Sequence, residues 1–154
     1  MFVGEAPGSN EDKQGLPFVG RAGQLLNSIL FSIGLARDEV YITNVLKCRP
    51  PANRDPMGEE VIQCEPYLHD QIKHIKPEII VAMGRFAAQA LLKSTSSIAE
   101  LRGQGHEYSE LKIPLVVTYH PAYLLRSLLE KQKVWKDLQF AQSLFSGSKN
   151  ERSI

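Results

Sequence analysis

The sequence predicts an α/β fold in which helices cover a parallel β-sheet. Short apolar runs alternate with longer stretches of helical spacing, which is typical of strands that are joined by helices. Four of the apolar runs are followed by a loop and then by a helical stretch, as expected for repeated β–α units. At 154 residues, the chain has the size of a single domain that can bury a core.

Four segments have the composition of strands. Residues 1–3 form an apolar run that ends at a glycine–proline turn, and residues 40–44 are rich in β-branched and aromatic side chains. Residues 78–83 read Glu-Ile-Ile-Val-Ala-Met, and residues 113–118 lead directly into a histidine–proline pair. We therefore expect a four-stranded sheet.

Helical spacing and helix-stop signals predict five helices. In the first of them, Leu25, Leu26, Ile29 and Leu30 share one face, and Gly34 ends the helix. The proline-rich segment 49–56 is expected to be an irregular loop. The polar residues 146–154 are expected to form a fraying tail outside a domain of residues 1–145. The predicted helices cover residues 21–33, 58–75, 85–92, 122–129 and 135–144.

Composition and charge indicate an ordinary soluble protein. Hydrophobic residues make up 43% and charged residues 23% of the chain. There is no apolar run of roughly eighteen residues and no secretion signal, so we expect a cytoplasmic location, including the nucleoid, without membrane contact. The formal net charge of +1 does not by itself indicate nucleic-acid binding. A basic cluster near the C-terminus is either a phosphate-binding patch or a solvated helix face; it comprises Arg126, Lys131, Lys133 and Lys136.

Three polar side chains follow predicted strands at their carboxyl ends. Glu5 comes after the first strand, Asn44 ends the second and His120 comes after the fourth. Ligands of open parallel sheets bind in the crevice beyond these ends. We therefore expect the three side chains to form one site.

Taken one at a time, the motifs leave alternatives open. The turn at residues 4–8 lacks the glycine spacing of phosphate-binding loops, so it is either a place where a ligand approaches the backbone or a plain turn. Phe18 is either a stacking platform for a base or a core residue. Asn44 either reads the edge of a pyrimidine or forms a turn. His120, which Pro121 holds in an extended backbone, either donates to an oxyanion on a leaving base or is structural.

Four strings of residues stand in order along the chain and carry a family resemblance. They read Phe-Val-Gly-Glu-Ala-Pro-Gly (2–8), Leu-Pro-Phe-Val-Gly-Arg-Ala-Gly (16–23), Tyr-Ile-Thr-Asn-Val-Leu-Lys-Cys-Arg-Pro (41–50) and His-Pro-Ala-Tyr-Leu-Leu-Arg (120–126). Together they resemble the family 4, iron–sulfur class of uracil-DNA glycosylases, over residues 1 to about 144.

The resemblance implies a fold and an activity. The fold is a three-layer α/β/α sandwich on a four-stranded parallel sheet. The activity is that of a monofunctional DNA N-glycosylase, which hydrolyses the N-glycosidic bond of uracil and leaves an abasic site for base excision repair. The implied partner is uracil-containing DNA, single- or double-stranded, and the enzyme is expected to be a monomer. The resemblance assigns no nucleophilic role to a lysine in the four strings, which argues against a strand-cutting lyase.

The resemblance also implies roles for the residues that face the base. Glu5 and Ala6 lie in the motif that positions the attacking water, and Phe18 stacks on the flipped uracil. Asn44 reads the N3 and O4 edge, and His120 bonds O2 and stabilises the departing anion. Another branch of the superfamily has an aspartate where Ala6 stands. Either Glu5 or backbone carbonyls therefore activate the water, or the reaction depends mainly on stabilisation of the leaving group.

The resemblance also implies which residues contact the DNA. Leu124 is expected to wedge into the duplex where the uracil leaves the stack. Pro17 and neighbouring loops are expected to pinch the phosphates. The residues expected to flank Leu124 on the DNA are Tyr123, Leu125 and Arg126.

The two cysteines, Cys48 and Cys64, match two of the four ligands that hold a [4Fe–4S] cluster in the family. The other two ligands lie upstream of the first strand, where this chain begins. Three explanations are open: the true protein begins further upstream, the protein has lost the cluster, or the shortened chain is inactive. The cluster is expected to order the loop at residues 49–56 rather than to do redox chemistry.

Two other functions remain as alternatives to the enzyme. One is a cluster-less, inactive relative that binds DNA or a partner protein. The other is a nucleotide-binding protein that is unrelated to repair, which leaves Asn44 and His120 unexplained.

Overall fold

A computed structural model describes residues 1–151, and side-chain surroundings are described as far as residue 145. Five strands form one sheet in the order β2-β1-β3-β5-β4, in which only β4 is antiparallel to its neighbour among the described pairs. The strands are β1 (Phe2–Gly4), β2 (Ile42–Asn44), β3 (Ile80–Met83), β4 (Gly105–Tyr108) and β5 (Ile113–Thr118). The helices are α1 (Ser9–Gln14), α2 (Arg21–Ser32), α3 (Gly58–Ile75), α4 (Arg85–Leu92), α5 (Ile98–Leu101), α6 (Pro121–Arg126) and α7 (Lys131–Glu151).

The predicted α/β architecture is confirmed, with one strand more than expected. All four predicted strands are present and parallel, and β4 adds an antiparallel strand at the edge. The sequence Gly-His-Glu-Tyr of β4 lacks the apolar run of a buried strand because three of its four residues are not buried. An antiparallel pairing with β5, the next strand along the chain, creates this strand, and its own composition does not reveal it.

The helices follow the prediction closely where the apolar pattern is strong. The bounds of α3 and α4 coincide with the predicted ones, and α2 ends one residue early, at Ser32. The predicted helix 122–129 divides into α6 and a 3₁₀ turn at Leu128–Glu130, and α7 begins at Lys131. The short helices α1 and α5 were not predicted. Helix α7 continues to Glu151, residues 152–154 lie outside the described residues, and the domain boundary at residue 145 stays a prediction.

Helices cover the sheet on both faces, as expected for three layers. Alternate strand residues point to opposite faces, so Val3, Ala82 and Val117 join one buried cluster with α3, α4 and α5. Phe2 and Met83 join the other cluster, against α2, α6 and α7. Within residues 1–151, no helix combines the length and the apolar content that crossing a bilayer requires.

The register of the sheet places the candidate residues together at the carboxyl ends of the parallel strands. Gly4 lies opposite Asn44, and Met83 lies opposite Thr118, so these four strands end at the same level. From β1, the chain moves outward to β2 and then returns to β3 on the other side, which makes the β1/β3 boundary a topological switch point. Crevices in α/β sheets open at such points, beyond the carboxyl ends of the strands.

A buried ion pair fixes the end of β5 that precedes His120. Arg102 donates to both oxygens of Asp137, at 2.9 Å each, and Asp137 is almost fully buried. The Thr118 hydroxyl donates to the same carboxylate at 2.7 Å, and the Arg102 guanidinium lies 4.5 Å from the centre of the Tyr119 ring. This network joins α7, the end of α5 and β5.

Replacing Asp137 with alanine is expected to lower the free energy of unfolding by about 3–5 kcal/mol, because Arg102, whose side chain is only 13% exposed, loses its counter-charge. Lys133→Ala, which breaks the surface pair between Lys133 and Glu130, is the matched control and should cost less than about 1 kcal/mol. Urea unfolding of both variants measures the difference. Equal losses in the two variants would show that the buried pair has no special role.

Candidate active site

Gly4 lets two side chains meet at the end of β1. A Cβ atom at this position would lie 2.6 Å from Asn44 Oδ1 and closer still to the edge of the Phe18 ring. Both of those side chains are buried, each with 5% of its surface exposed. The glycine is therefore required by this close packing, and it brings the predicted residues Phe18 and Asn44 together.

The Asn44 side chain carries an acceptor that the protein does not use. Its Oδ1 atom is buried and has no hydrogen-bond partner among the described residues. A buried acceptor without a partner costs about 1–3 kcal/mol, so native proteins rarely keep one without a reason. The backbone carbonyl of Asn44, in contrast, accepts a hydrogen bond of 2.6 Å from the Lys47 ammonium. The side-chain oxygen thus remains free for a ligand.

His120 caps the N-terminus of α6 and is held neutral. Its Nδ1 atom accepts a hydrogen bond from the Ala122 N–H at 3.1 Å, which assigns the proton of the neutral ring to Nε2. Burial lowers the pKa of His120 to about 4, and the positive charge of Arg126 adds to this effect. At neutral pH the ring is therefore an uncharged donor through Nε2.

The His120 ring lies beside Phe18 and against Gly84. Its centroid is 5.4 Å from that of the Phe18 ring, at an interplanar angle of 31°. Gly84 has a φ angle of +93°, and a Cβ there would lie 3.0 Å from the Cβ of His120. The three predicted residues Phe18, Asn44 and His120 are thus brought together.

The loop that carries Phe18 is held by a carboxylate. Glu11 accepts hydrogen bonds from the N–H groups of Val19 and Gly20, at 3.0 Å each. Burial acts to raise the pKa of Glu11, but these backbone donors outweigh it and the pKa is lowered. Glu11 therefore stays ionised and keeps its hold on the loop.

Glu5 lies at the mouth of the site. It is half-buried, and its pKa is raised by burial and by the nearby charge of Asp55, against the opposing effect of Arg85. Glu5 lines a cleft of about 450 Å³, here called the His120 cleft. The cleft is lined by Glu5, Ala6, Pro7, Gly8, Pro50, Asn53, Arg54, His120, Ala122, Tyr123 and Arg126.

A second cavity, of about 310 Å³, opens on Asn44 and is here called the Asn44 cavity. Pro7 lines both this cavity and the His120 cleft, so the two adjoin there. Lys47 lies in the wall of the Asn44 cavity, where its ammonium donates to Thr43 and Gln71 as well as to Asn44. Burial lowers the pKa of Lys47 to about 8.

The residues that were predicted to contact DNA divide into two groups. Tyr123 and Arg126 line the His120 cleft, Pro17 lines the Asn44 cavity, and Leu125 is 38% exposed. Leu124 is only 1% exposed and packs in the core beneath α6. A side chain in the core cannot enter a base stack without leaving the core, so the structure does not support Leu124 as the wedge. Phe18 belongs to the same buried cluster and lines neither cavity, so a base can stack on its ring only after the side chains around that ring move.

The two free cysteines open onto one further cavity. Cys48 is exposed, Cys64 is partly buried, and both line a space of about 490 Å³. Within residues 1–151, no group of three or more histidine, cysteine or acidic side chains is arranged to hold a metal ion. The two thiols supply half of the ligands of a [4Fe–4S] cluster, so these residues do not by themselves fit that group. Pro50 lines this cavity as well as the His120 cleft, so the proline-rich loop connects them.

Several residues of the site were not predicted from the sequence. Glu11, Arg37, Lys47 and Gly84 all act through contacts with backbone or with neighbours distant in the chain. Only Gly84, as a glycine directly after a predicted strand, offered a local signal for a tight approach. The other three look like ordinary surface charges in the sequence.

The neutral state of His120 has a consequence for stability. Below pH 6.5 the unfolded chain binds a proton at His120 that the folded protein does not bind until about pH 4. The free energy of unfolding should therefore fall between pH 6.5 and 4, by on the order of 3 kcal/mol from this group, and His120→Gln should remove that component. Urea unfolding at pH 7, 5.5 and 4 measures it. His74→Gln, on the exposed part of α3, is the control, and an identical pH dependence in wild type and His120→Gln would refute the burial argument.

Comparisons with known proteins agree with this geometry. Residues 1–139 match the family model for the uracil DNA glycosylase superfamily. The chain is 50% identical over 143 residues to the type-4 uracil-DNA glycosylase of Sulfurisphaera tokodaii, which covers 85% of this chain and 65% of that protein. It is 50% identical over 131 residues to the Archaeoglobus fulgidus type-4 enzyme, covering 81% of this chain and 66% of that protein.

A third relative is matched over more of its length. The type-4 uracil-DNA glycosylase of Thermotoga maritima is 44% identical over 146 residues, covering 93% of this chain and 76% of that protein. The chain spans just under two thirds of the length of the first two relatives. The family-model match includes all the strands that end at the site, and the chain belongs to the uracil-DNA glycosylase superfamily and, within it, to the type-4 family.

Proposed function

We propose that this protein hydrolyses the N-glycosidic bond between uracil and deoxyribose in DNA, releasing uracil and leaving an abasic site. The observation that carries the proposal is the unpartnered Asn44 Oδ1, buried beside Phe18 and near a neutral His120 at one edge of the sheet. Membership of the type-4 family supports it. A base reaches such a pocket only when its nucleotide is flipped out of the stack.

Asn44 discriminates uracil from cytosine by hydrogen-bond polarity. Uracil presents an N–H donor at N3 and a carbonyl acceptor at O4, which match the Oδ1 acceptor and the Nδ2 donor of the amide. Cytosine presents an acceptor at N3 and an amino donor at C4, so both contacts would be mismatched and a buried polar atom would be left without a partner. Phe18 supplies the flat apolar wall on which the base stacks.

His120 stabilises the leaving base without transferring a proton. As the glycosidic bond breaks, negative charge moves onto the uracil ring and its O2 atom. A neutral Nε2–H donor that is already held by the Ala122 contact can bond O2 as the charge develops, with little reorganisation. Since burial keeps the pKa of His120 at about 4, the ring remains neutral throughout the reaction at neutral pH.

Glu5 positions and activates the attacking water. It provides the carboxylate among the residues that line the His120 cleft, whereas the neighbouring Ala6 has no polar side chain. Burial and Asp55 raise the pKa of Glu5, which makes the carboxylate a better proton acceptor once it is ionised. Water attacks the sugar carbon, the carbon–nitrogen bond to uracil breaks, and Glu5 accepts the proton of the water.

DNA enters along the His120 cleft. Arg126 and Tyr123, which line this cleft, contact the phosphate backbone, and Pro17, which lines the Asn44 cavity, contacts the strand there; their positions in the two walls support this part of the proposal. Leu125, which is exposed next to them, takes the role of the wedge in place of the buried Leu124. Cys48 and Cys64 would hold a cluster only together with two further thiolates, and the proposed steps do not pass through it.

The proposed activity is tested with oligonucleotides, single- and double-stranded, that contain one uracil. After incubation, alkali cleaves any abasic site and the product is measured on a gel. We expect release from uracil-containing strands and none from strands with cytosine at that position. DNA binding without any abasic product would show an inactive, DNA-binding relative instead.

His120→Ala should slow uracil release by about 10²- to 10³-fold, the usual effect of removing one donor to a developing anion. The dissociation constant for DNA should stay within about twofold, because His120 contacts the base rather than the phosphates. Single-turnover rates and a binding titration separate the two effects. A collapse of DNA affinity would identify His120 as a structural or phosphate contact.

Gly4→Ala should abolish most of the activity, by about a hundredfold or more, because the added methyl group displaces both Phe18 and Asn44. Gly58→Ala is the matched control, since a Cβ there meets nothing within 4 Å. Circular dichroism checks that both variants fold. A folded Gly4→Ala variant with the wild-type rate would refute the proposed arrangement of the base pocket.

A further inference from the structure

We propose that Arg37 is a positioning residue of the uracil site, which fixes the wall formed by Phe18 from outside the pocket. This inference rests on the proposed function. Arg37 stands about twenty residues from Phe18 in the sequence and is half-buried. It does not line either the His120 cleft or the Asn44 cavity.

The guanidinium of Arg37 binds two successive backbone carbonyls. Its Nη1 atom donates to the Phe18 carbonyl at 2.8 Å, and its Nη2 atom donates to the Pro17 carbonyl. Nη1 also donates to Asn27 Oδ1 at 3.0 Å, which ties the contact to α2. A planar fork of donors suits two neighbouring acceptors in a way that a single ammonium does not.

Arg37 is itself held in place by the short turn that it begins. It starts a 3₁₀ turn, Arg37–Glu39, that leads into β2. The Glu39 carboxylate accepts a hydrogen bond of 2.6 Å from the Ala36 N–H, which fixes the start of this turn. The guanidinium therefore reaches the Phe18 loop from a fixed anchor.

The Phe18 backbone needs such support because its conformation is unfavourable. Its φ angle is +51°, in the left-handed region that residues other than glycine adopt only at a cost. Gly23 of α2 lies directly against the Phe18 carbonyl, where a Cβ would overlap it. Glu11 accepts hydrogen bonds from the N–H groups of Val19 and Gly20, which follow Phe18. Arg37 donates to the carbonyls of Pro17 and Phe18.

The position of the Phe18 ring follows from this backbone conformation. The ring lies 5.4 Å from the His120 ring and packs against Gly4, so a change in its backbone would alter the space left for a flat base. A misplacement of about 1 Å in such a site can cost about a hundredfold in rate. Arg37 therefore affects the chemistry without touching the substrate.

The test compares Arg37→Ala, Arg37→Lys and Asn27→Ala with wild type in single-turnover uracil release. We expect Arg37→Ala to lower the rate by between about ten- and about a hundredfold, with the dissociation constant for DNA unchanged. Arg37→Lys should recover only part of the loss. Asn27→Ala, which keeps both carbonyl contacts, should stay within about twofold of wild type. Added guanidinium at a non-denaturing concentration should restore part of the rate of Arg37→Ala but leave wild type unchanged.

A double-mutant cycle separates positioning from general destabilisation. If Arg37 acts through Phe18, Arg37→Ala should cost little further rate in a Phe18→Leu background. Losses that simply multiply would overturn the proposal, as would a wild-type rate in Arg37→Ala.

A further measurement does not depend on the activity. Amide hydrogen exchange at Val19 and Gly20 should be faster in Arg37→Ala than in wild type, because the loop loses the hydrogen bonds from Arg37 and keeps only those to Glu11. Unchanged exchange would overturn the positioning role. A wild-type protein that releases no uracil would refute the proposed function, while the exchange result would still decide whether Arg37 holds the loop.

Discussion

The close packing at Gly4 is the constraint on which the rest of the site depends. Parallel pairing sets Gly4 level with Asn44, and the absence of a side chain at Gly4 leaves room for both the Asn44 amide and the Phe18 ring. Any larger residue would push the two apart. The backbone of Phe18 is in the left-handed region, and the bonds of Glu11 to its loop and the carbonyl contacts of Arg37 hold it there.

The two polar side chains of the pocket suit different parts of a ligand: the Asn44 acceptor suits an N–H donor, and the neutral His120 donor suits an oxygen that gains negative charge. The buried Oδ1 of Asn44 has no partner in the described part of the chain, and the neutral His120 offers a donor through Nε2. Burial causes both properties. It keeps water away from the Asn44 acceptor, and it disfavours the charged form of the His120 ring. The network of Asp137, Arg102 and Thr118 holds the end of β5, which gives His120 its position.

The proline-rich loop links the base pocket to the two thiols. Pro50 lines both the His120 cleft and the cavity of Cys48 and Cys64. The same loop places Asn53 and Arg54 in the wall of the His120 cleft.

The sequence by itself determined the α/β class, the four parallel strands, the helices α2, α3 and α4, and the position of Glu5, Asn44 and His120 at the carboxyl ends of parallel strands. Those features depend on local periodicity and on the geometry that parallel strands share. Tertiary structure alone decided the edge strand β4, the burial of Leu124 and the roles of Glu11 and Arg37. A leucine at helical spacing looks the same whether it faces the core or DNA, and a surface charge shows no sign of the backbone it will bind. Each of these features depends on a partner that the local pattern does not name: β5 for β4, the core for Leu124, and the backbone around Phe18 for Glu11 and Arg37. Only the folded molecule defines such partners.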